Sequence, residues 1–393
     1  QGGYRQRSRG VRRRGGGRVV KSICAVEGVS AAGLKDGKFG LALILASGTA
    51  AGVFTSNLVR AAPVELMMER LQKGALEAIV VNSGCANAYT DERGYRDAKE
   101  MAAIAASSLG LEPESVGVAS TGVIGRYLDL PRIREQCSRV SPLLARNSDA
   151  EDAAARAIMT TDAFPKHALF RTESFTVGGI AKGSGMIAPK MGTMLAFIYT
   201  DADVEAGMLQ EILRQASRRS FNRVVVDGDT STNDAAFCTA TDAASRVDRD
   251  DLARGIEAVC RDLAIQIARD GEGATKLLKV TVRGAPDEEA AAAVARTIVA
   301  SPLVKTAVYG EDPNWGRVVA AAGRAGVEFD PYAVSLRIGD VTLVCRGEIV
   351  AELEAARTAM HGDTVVFDLD LAVGEGQATA WGCDLTERYV EIN

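Results

Sequence analysis

The sequence predicts a mixed fold, α/β or α+β, in which sheets and helices form layers. Short apolar runs that end in turn residues alternate with longer stretches that carry helix start and stop signals. Strands and helices mix along the whole chain, and no repeat period is present. The length of 393 residues suits one large domain or two ordinary ones. An apolar content of 47% and a charged content of 25% are typical of a soluble globular protein.

Buried strands and capped helices are predicted in the first half of the chain. The strands are "GKFGLALILAS", "LEAIVVNSG" and "SVGVAST", and the last of them ends in a loop at Thr121-Gly122. A helix over "DERGYRDAKEMAAIAASSLG" begins with acidic residues and ends at a glycine, which matches the rules of helix capping. A further helix, "DAEDAAARAIMTTD", runs into a polar turn.

The second half continues the same mixture. A strand runs to Tyr199, and a helix follows in "VEAGMLQEILRQASRRSF". Next come a strand in "RVVVDGDTSTND" and a helix in "DDLARGIEAVCRDLAIQIARDGEG". The segment "VSLRIGDVTLVC" predicts a hairpin that turns at Gly339-Asp340.

Cysteine and histidine usage argues against a metalloprotein and against classical Ser-His or Cys-His catalysis. The seven cysteines are scattered without a Cys-x-x-Cys pair, and the only histidines are His167 and His361. A reduced, cytoplasmic compartment fits this pattern, and a zinc site does not. The longest uncharged stretch, Phe39 to Val59, contains too many Gly, Ser and Thr residues to span a membrane.

The first 21 residues form a separate, basic segment. Residues 1–21 carry a charge of +8, so the remaining 372 residues carry −13. No apolar core follows the arginines, which excludes a twin-arginine signal. Arg/Gly runs also bind phosphates non-specifically, but a disordered extension or a start-site artefact is the favoured interpretation. No nucleic-acid partner is therefore predicted.

The segment "VVVDGDTSTND" offers a candidate phosphatase site. An apolar strand followed by Asp-x-Asp-Thr resembles the nucleophile motif of haloacid-dehalogenase-type phosphatases, with Asp227 attacking phosphorus and Asp229 acting as acid and base. That motif normally opens its domain, whereas this one lies past the middle of the chain. A structural role, in which the Asp and Thr side chains fix a turn, is an equally good interpretation.

A threonine at the mouth of a strand offers a second candidate. In "KGSGMIAPKMGTMLAFIYT", Thr193 follows the smallest residue, Gly192, and opens an apolar run. Lys182 precedes the glycines, so the order of a phosphate-binding P-loop is not met. Threonine needs a base within hydrogen-bond reach, and its own α-amine, with a pKa of about 7.7–8.0 against about 10.4 for lysine, could serve after cleavage of the preceding bond. Most threonines that open a strand are nevertheless structural.

Seven motifs resemble the ornithine acetyltransferase family, the glutamate N-acetyltransferases of arginine biosynthesis. They are "VASTGVIGRYLDL", "AIMTTD", "KGSGMIAPKMGTMLAF", "DGDTSTND", "DGEGATKL", "SPLVKTAVYGEDPNWGR" and "GCDLTERYVEIN". They occur in the family's order, and the resemblance spans Cys24 to Asn393. It implies layered sheets and helices in two domains, superficially like the N-terminal-nucleophile hydrolases.

The resemblance also implies a mechanism. The chain would cleave itself between Gly192 and Thr193 into an α chain, residues 22–192 after the tail, and a β chain, residues 193–393. Thr193 would then carry acetyl from N-acetylornithine to glutamate in a ping-pong reaction without cofactor or metal. Acetyl-CoA as a further donor stays open. The expected assembly is a heterotetramer of two α and two β chains.

The family pattern assigns further residues. Thr121, through its hydroxyl, and Gly122, through its backbone N–H, match the oxyanion hole. The residues that match substrate contacts are Thr160, Lys182, Thr193, Glu272 and Asn393. Lys182 suits the carboxylate of an amino acid, and Glu272 suits its amine. A phosphatase built on Asp227 and Asp229 and an uncleaved binding protein are the competing hypotheses.

Three positions depart from the family pattern. Gly192 replaces the usual alanine, and the smaller residue still allows the Thr193 hydroxyl to reach the preceding carbonyl. Cys85 replaces a common asparagine and is interpreted as a buried small side chain, not as a second nucleophile. The sequence ends at Asn393, where members of the family usually continue for a few residues, including a substrate-contacting Ser or Thr.

Overall fold

Two β-sheets, with helices between and around them, make up the protein. The structure is a computed structural model that describes residues 19–188, 194–350 and 352–393. Strands and helices alternate along the chain, as the sequence predicts, so the mixed, layered fold class is confirmed.

The elements follow one another closely. The strands are β1 Ser30–Asp36, β2 Phe39–Phe54, β3 Ala75–Cys85, β4 Val116–Val123, β5 Lys166–Arg171, β6 Thr176–Lys182, β7 Leu195–Thr200, β8 Val224–Val225, β9 Ala235–Ala240, β10 Leu277–Ala285, β11 Ser335–Ile338, β12 Val341–Cys345, β13 Glu348–Ile349, β14 Thr364–Asp370 and β15 Gly376–Cys383. The α-helices are α1 Ala62–Arg70, α2 Asp91–Leu109, α3 Leu130–Val140, α4 Ser148–Ile158, α5 Ala206–Arg219, α6 Arg249–Arg269, α7 Glu288–Val299, α8 Pro302–Tyr309, α9 Trp315–Gly323, α10 Leu353–Ala359 and α11 Glu387–Ile392. Single turns of 3₁₀-helix lie at Ile23–Ala25, Leu71–Lys73, Pro113–Ser115, Ser141–Leu143 and Phe221–Arg223.

The first sheet mixes strands from before and after residues 192 and 193. Its strand order is β4-β3-β2-β9-β7-β6-β5, and β1 pairs with β2. Strand β7 lies between β6, to which it is antiparallel, and β9, to which it is parallel. Strands from the two sides of the predicted cleavage point therefore share one hydrogen-bonded sheet.

The second sheet is built only from the later part of the chain. Its order is β13-β12-β11-β14-β10-β15-β8, with β10 and β14 as a parallel central pair. Together the two sheets give the protein alternating layers of helix and sheet.

Among the described residues, three large hydrophobic cores fill the spaces between these layers, and a fourth, small cluster contains Ala61, Val64, Ala86 and Ala88. The first lies between the first sheet and helices α2 to α4. The second lies between that sheet and helices α5 and α6, and it extends to Trp381 and Cys383 of the second sheet. The third lies between the second sheet and helices α7 to α9. Burial of apolar surface on both faces of the first sheet explains why its central strands, such as β6 and β7, are buried along their whole length.

Local sequence signals explain several element ends. Helix α2 stops where Gly110 adopts φ +71°, a left-handed conformation that glycine takes without steric cost. The predicted hairpin forms between β11 and β12, and Gly339 turns the chain with φ +55°. Both features are confirmed.

The predicted strand in "RVVVDGDTSTND" is wrong over most of its length. Only Val224–Val225 pair with the sheet, and a loop follows. The Asp227 carboxylate accepts hydrogen bonds from the backbone N–H groups of Met186 and Ile187, and Asp229 donates to it as well. Such side-chain to backbone bonds compete with strand pairing, which explains the early end of β8.

The predicted boundary of the basic segment is also too late. Residues 1–18 lie outside the described residues. Val20, however, packs against the first core, and the Lys21 backbone N–H donates to the Glu151 carboxylate over 2.7 Å. The packed chain thus includes residues that the sequence analysis assigned to the tail.

Within the described ranges, no single helix has the length and apolar character needed to cross a membrane. The bent pair α7 and α8 meets that test when the two helices are taken together.

Candidate active site

Most of the predicted site residues line one cavity of about 400 Å³. Six predicted residues line it: Thr121, Gly122, Thr160, Lys182, Glu272 and Asn393. They come from the ends of β4 and β6, the turn after α4, the loop after α6 and the residue after α11. The fold therefore brings together residues that are far apart in the sequence, although their roles remain predictions.

Thr121 and Lys182 are in direct contact inside the cavity. Both side chains are about 3% exposed, and the Lys182 Nζ donates to the Thr121 Oγ1 over 3.1 Å. Because the ammonium group occupies an acceptor position of the hydroxyl, the hydroxyl hydrogen is free to donate elsewhere. Thr121 can therefore act as a hydrogen-bond donor to a bound oxygen atom.

Gly122 adopts a backbone conformation that few other residues could take. Its φ is +131°, and a Cβ atom at this position would lie 2.4 Å from the carbonyl carbon of Gly84. Strands β3 and β4 approach each other closely at this point. The glycine is required for this approach and leaves the backbone of the β4 end open to the cavity.

A buried ion-pair network lies behind the cavity wall. The Lys166 Nζ lies 2.7 Å from the Asp162 Oδ1 and 2.5 Å from the Asp270 Oδ2, and all three side chains are almost fully buried. Asp162 also accepts hydrogen bonds from the backbone N–H groups of Gly183, over 2.7 Å, and Thr160, over 3.0 Å. Asp162 therefore fixes the residue after Lys182 and the backbone of Thr160 at the same time.

Opposing forces set the pKa values of these groups. Burial acts to raise the pKa of Asp162, but Lys182, Lys166 and the Gly183 N–H outweigh it and lower that pKa to about 2. Burial raises the pKa of Asp270, against the opposing effect of Lys166. Burial also lowers the pKa of Lys182, while nearby Asp162 works against that shift. Asp162 thus counteracts the effect of burial on the pKa of Lys182.

Glu272 and Asn393 form another side of the cavity. The Asn393 Nδ2 donates to the Glu272 Oε2 over 2.8 Å, and the Glu272 backbone N–H donates to the Ser184 carbonyl over 2.9 Å. A Cβ atom on Gly185 would lie 2.3 Å from the same Glu272 oxygen. Glycine at position 185 therefore leaves the space that the carboxylate occupies.

Asp234 holds the chain next to the predicted nucleophile. Gly192 and Thr193 lie outside the described residues, but Met194, the next residue, donates its backbone N–H to the Asp234 Oδ1 over 2.9 Å. Within the described part of the chain, the Asp234 Oδ2 is buried without a hydrogen-bond partner. Burial raises the pKa of Asp234 well above its usual value. The neighbouring Asn233 lines the cavity and donates to the carbonyls of Ala86 and Ser120, which ties the β3 and β4 ends together.

Several site residues were missed by the sequence analysis. Lys35, near the end of β1, and Lys38, at the turn between β1 and β2, line the cavity. The Asp-Gly pair inside "LKDGK" is a hairpin signal that could have placed both lysines at one turn. Asp234 and Asp270 lie within quoted or neighbouring motifs, but no local pattern distinguishes them from turn residues.

The alternative nucleophiles have structural explanations. The Asp227 carboxylate accepts hydrogen bonds from three backbone N–H groups, and Asp229 is exposed. Both observations fit the interpretation that these residues form a turn. Cys85 is 8% exposed, which confirms its interpretation as a buried side chain, and burial raises its pKa. Among the described residues, no group of three or more His, Cys, Asp or Glu side chains is placed to hold a metal ion.

A family model decides the relationship of this chain. The model of the ArgJ family matches residues 26–393. The chain belongs to the ArgJ family.

Curated relatives of this ArgJ-family chain cover almost its full length. A glutamate N-acetyltransferase from Methanosarcina mazei is 51% identical over 388 residues, which cover 95% of this chain and 98% of the relative. The arginine biosynthesis bifunctional protein ArgJ from Symbiobacterium thermophilum is 49% identical over 392 residues, which cover 96% of each chain. The ArgJ-family chain is therefore an acyltransferase enzyme.

Solved structures of the family match about half of the chain. A crystal structure of the arginine biosynthesis bifunctional protein ArgJ from Bacillus halodurans is 41% identical, covers 49% of this chain and 95% of its own, and gives a TM-score of 0.48. A structure of the ornithine acetyltransferase from Mycobacterium tuberculosis, complexed with ornithine, is 37% identical, covers 43% and 95%, and gives a TM-score of 0.42.

The lowered pKa of Asp162 predicts a pH-dependent contribution to stability. A depressed carboxyl pKa stabilises the folded state above the unfolded value of about 3.9, and this stabilisation is lost as the pH falls through about 2. Asp162→Asn should lower the free energy of unfolding at pH 6, and the difference from wild type should shrink by about 1 kcal/mol at pH 3. Urea unfolding at both pH values measures this difference.

Asp340→Asn provides the matched control, because the Asp340 carboxylate is fully exposed at a hairpin turn. Its effect should stay within about 0.5 kcal/mol at both pH values. An Asp162→Asn difference that is the same at pH 6 and pH 3 would contradict the assigned ionisation.

Proposed function

We propose that the chain transfers an acetyl group from N-acetylornithine to glutamate through an acetyl ester on Thr193. The observation that carries this proposal is the convergence of six residues from the family pattern on one cavity. The backbone N–H of Met194, directly after Thr193, is held by an aspartate whose neighbour lines the same cavity. Acyl transfer through a covalent intermediate needs a nucleophile, an oxyanion site and a binding pocket for the acyl donor.

The nucleophile would be prepared by self-cleavage. The Thr193 hydroxyl attacks the Gly192 carbonyl carbon, the hydroxyl proton passes to the Thr193 nitrogen, and the C–N bond breaks as an ester forms. Water then hydrolyses the ester, which leaves an α chain that ends at Gly192 and a β chain that begins at Thr193. The freed α-amine has a pKa of about 7.7–8.0 and can accept the hydroxyl proton at neutral pH. No cofactor and no metal takes part in these steps.

In the first half-reaction, the Thr193 hydroxyl attacks the acetyl carbonyl of N-acetylornithine. The negative oxygen of the tetrahedral intermediate accepts hydrogen bonds from the Thr121 hydroxyl and the Gly122 N–H. The contact between Lys182 and Thr121 supports this role, because it leaves the hydroxyl hydrogen available. The proton taken from Thr193 passes to the leaving nitrogen, and ornithine departs. In the second half-reaction the α-amine of glutamate attacks the acetyl ester, and N-acetylglutamate leaves.

The charged lining of the cavity supports amino-acid substrates. The Lys182 ammonium suits the α-carboxylate that both substrates carry, and the Glu272 carboxylate suits the side-chain ammonium of the ornithine group. Thr160 and Asn393 add polar contacts from the same lining. The lining therefore provides one positive and one negative group in the same small cavity.

The interleaved first sheet supports a stable association of the two chains after cleavage. Strand β7 of the β chain is hydrogen-bonded to β6 of the α chain along its whole length. We therefore expect the α and β chains to remain together without a disulfide, and we propose a cytoplasmic heterotetramer of two α and two β chains.

Self-cleavage predicts two fragments in the purified protein. Intact mass should show pieces of 192 and 201 residues, Gln1–Gly192 and Thr193–Asn393, because every reacting group is internal. Thr193→Ala should give one uncleaved and inactive chain. Thr193→Ser, which keeps a hydroxyl, should retain part of the self-cleavage and part of the acetyl transfer. A wild-type enzyme that is active but remains a single chain would contradict the mechanism in which the α-amine of Thr193 is the base.

The oxyanion role of Thr121 predicts a loss of rate. Thr121→Ala should lower kcat by about 100-fold or more, because the lost hydrogen bond strengthens only in the transition state. The KM for N-acetylornithine should change far less. Thr121→Ser restores the hydroxyl and serves as the matched control. A raised KM with an unchanged kcat would instead assign Thr121 to substrate binding. Running the same assay with acetyl-CoA as the donor shows whether the enzyme uses a second donor.

A further inference from the structure

The cavity carries more positive charge than binding of the acetyl donor requires. Its lining includes three lysines, Lys35, Lys38 and Lys182, against one carboxylate, Glu272. N-acetylornithine has one carboxylate and one ammonium group, so Lys182 and Glu272 already match its charges. The two further lysines have no counterpart on the donor.

The acceptor differs from the donor at the side chain. Both substrates share an α-carboxylate beside the nitrogen that loses or gains acetyl. The side chain of the donor ends in an ammonium group, whereas that of glutamate ends in a carboxylate. A ping-pong enzyme binds both molecules in turn at the same nucleophile, so its cavity must accept opposite charges at the side-chain end.

Lys35 is placed to meet the second carboxylate. Its Nζ donates to the Ser83 Oγ over 2.8 Å and to the Met159 carbonyl. An ammonium group has three hydrogens, so one donor remains for a ligand. The side chain is half-buried, and burial lowers its pKa. A bound carboxylate would stabilise the charged form of such a lysine and would gain more than at an exposed one.

A short path of contacts connects Lys35 with Glu272. Lys35 contacts the carbonyl of Met159, two residues before Thr161, and the Thr161 Oγ1 lies 2.7 Å from the Ser184 Oγ. The Ser184 carbonyl in turn accepts the Glu272 N–H. Lys35 and Glu272 both line the cavity and are connected through residues 159–161 and Ser184, whereas Lys182 donates to Thr121.

We propose that Lys35 binds the side-chain carboxylate of the acceptor and so selects glutamate in the second half-reaction. Glu272 serves the side-chain ammonium of the donor in the first. The inference rests on the proposed function and adds to it the residue that distinguishes the two substrates. Lys35 is a binding residue and takes no part in proton or acyl transfer.

Measuring the two half-reactions separately tests this proposal. Acetyl-enzyme is formed with N-acetylornithine alone, freed of small molecules, and then mixed with glutamate or with glutamine. Glutamine has nearly the same shape as glutamate, but its side chain is neutral. The variants are Lys35→Gln, which keeps a hydrogen-bond donor to Ser83, and Lys35→Arg, which keeps the charge.

Lys35→Gln should lower the second-order rate constant for deacetylation by glutamate about tenfold or more and leave that for glutamine within about threefold. Formation of acetyl-enzyme should also stay within about threefold of wild type. Lys35→Arg should retain most of the preference for glutamate. Lys73→Gln, at an exposed position outside this cavity, is the control for loss of a positive charge and should match wild type.

Three results would overturn the inference. Equal losses for glutamate and glutamine would mean that Lys35 only supports the fold, and unchanged rate constants for both acceptors would mean that Lys35 does not contact the acceptor. A parallel loss in acetyl-enzyme formation would assign Lys35 to the α-carboxylate that both substrates share. A wild-type enzyme that forms no acetyl-enzyme would instead reject the proposed function itself, which is a separate outcome.

Discussion

The buried pair of Asp162 and Lys166, with Asp270 as a second carboxylate, is the interaction on which the geometry of the cavity depends. Charges removed from water are tolerated only when partners and hydrogen bonds compensate them, and loss of one partner costs about 3–5 kcal/mol. Here Asp162 compensates Lys166 and also accepts N–H groups from the segments that carry Thr160 and Lys182. One carboxylate thus couples the folding of this region to the placement of two site residues.

The interleaving of the first sheet extends this constraint to the segment that follows the predicted nucleophile. Strand β7 begins at Leu195, between β6 and β9, and Met194 is tied to Asp234 just before β9. Strand β6 ends at Lys182, which pairs with Leu195 at the start of β7. Lys182 and the segment after Thr193 therefore lie at the same end of these two neighbouring strands. Cleavage between positions 192 and 193 would therefore free an amine without separating the parts of the cavity.

The sequence allowed prediction of most elements and of the residues around the cavity, but not of the interactions behind it. Helix α2 and the β11–β12 hairpin follow from capping and turn residues that act over a few positions. Thr121, Lys182 and Glu272 were placed by ordered motifs that resemble the family. Asp162 and Asp270 are 108 positions apart, and their shared lysine follows from tertiary packing that no local pattern encodes. The prediction of a long strand around Asp227 was wrong, because Asp227 accepts hydrogen bonds from the backbone of another segment and β8 stays short.

Acyl transfer through Thr193 is the central claim, and the most direct test uses N-acetylornithine without any acceptor. Purified enzyme should release one equivalent of ornithine per active site, and peptide mapping should find one added acetyl group on the peptide that begins at Thr193. Addition of glutamate should then remove that group and yield N-acetylglutamate. Release of ornithine only when glutamate is already present, with no acetylated peptide at any time, would contradict the covalent mechanism.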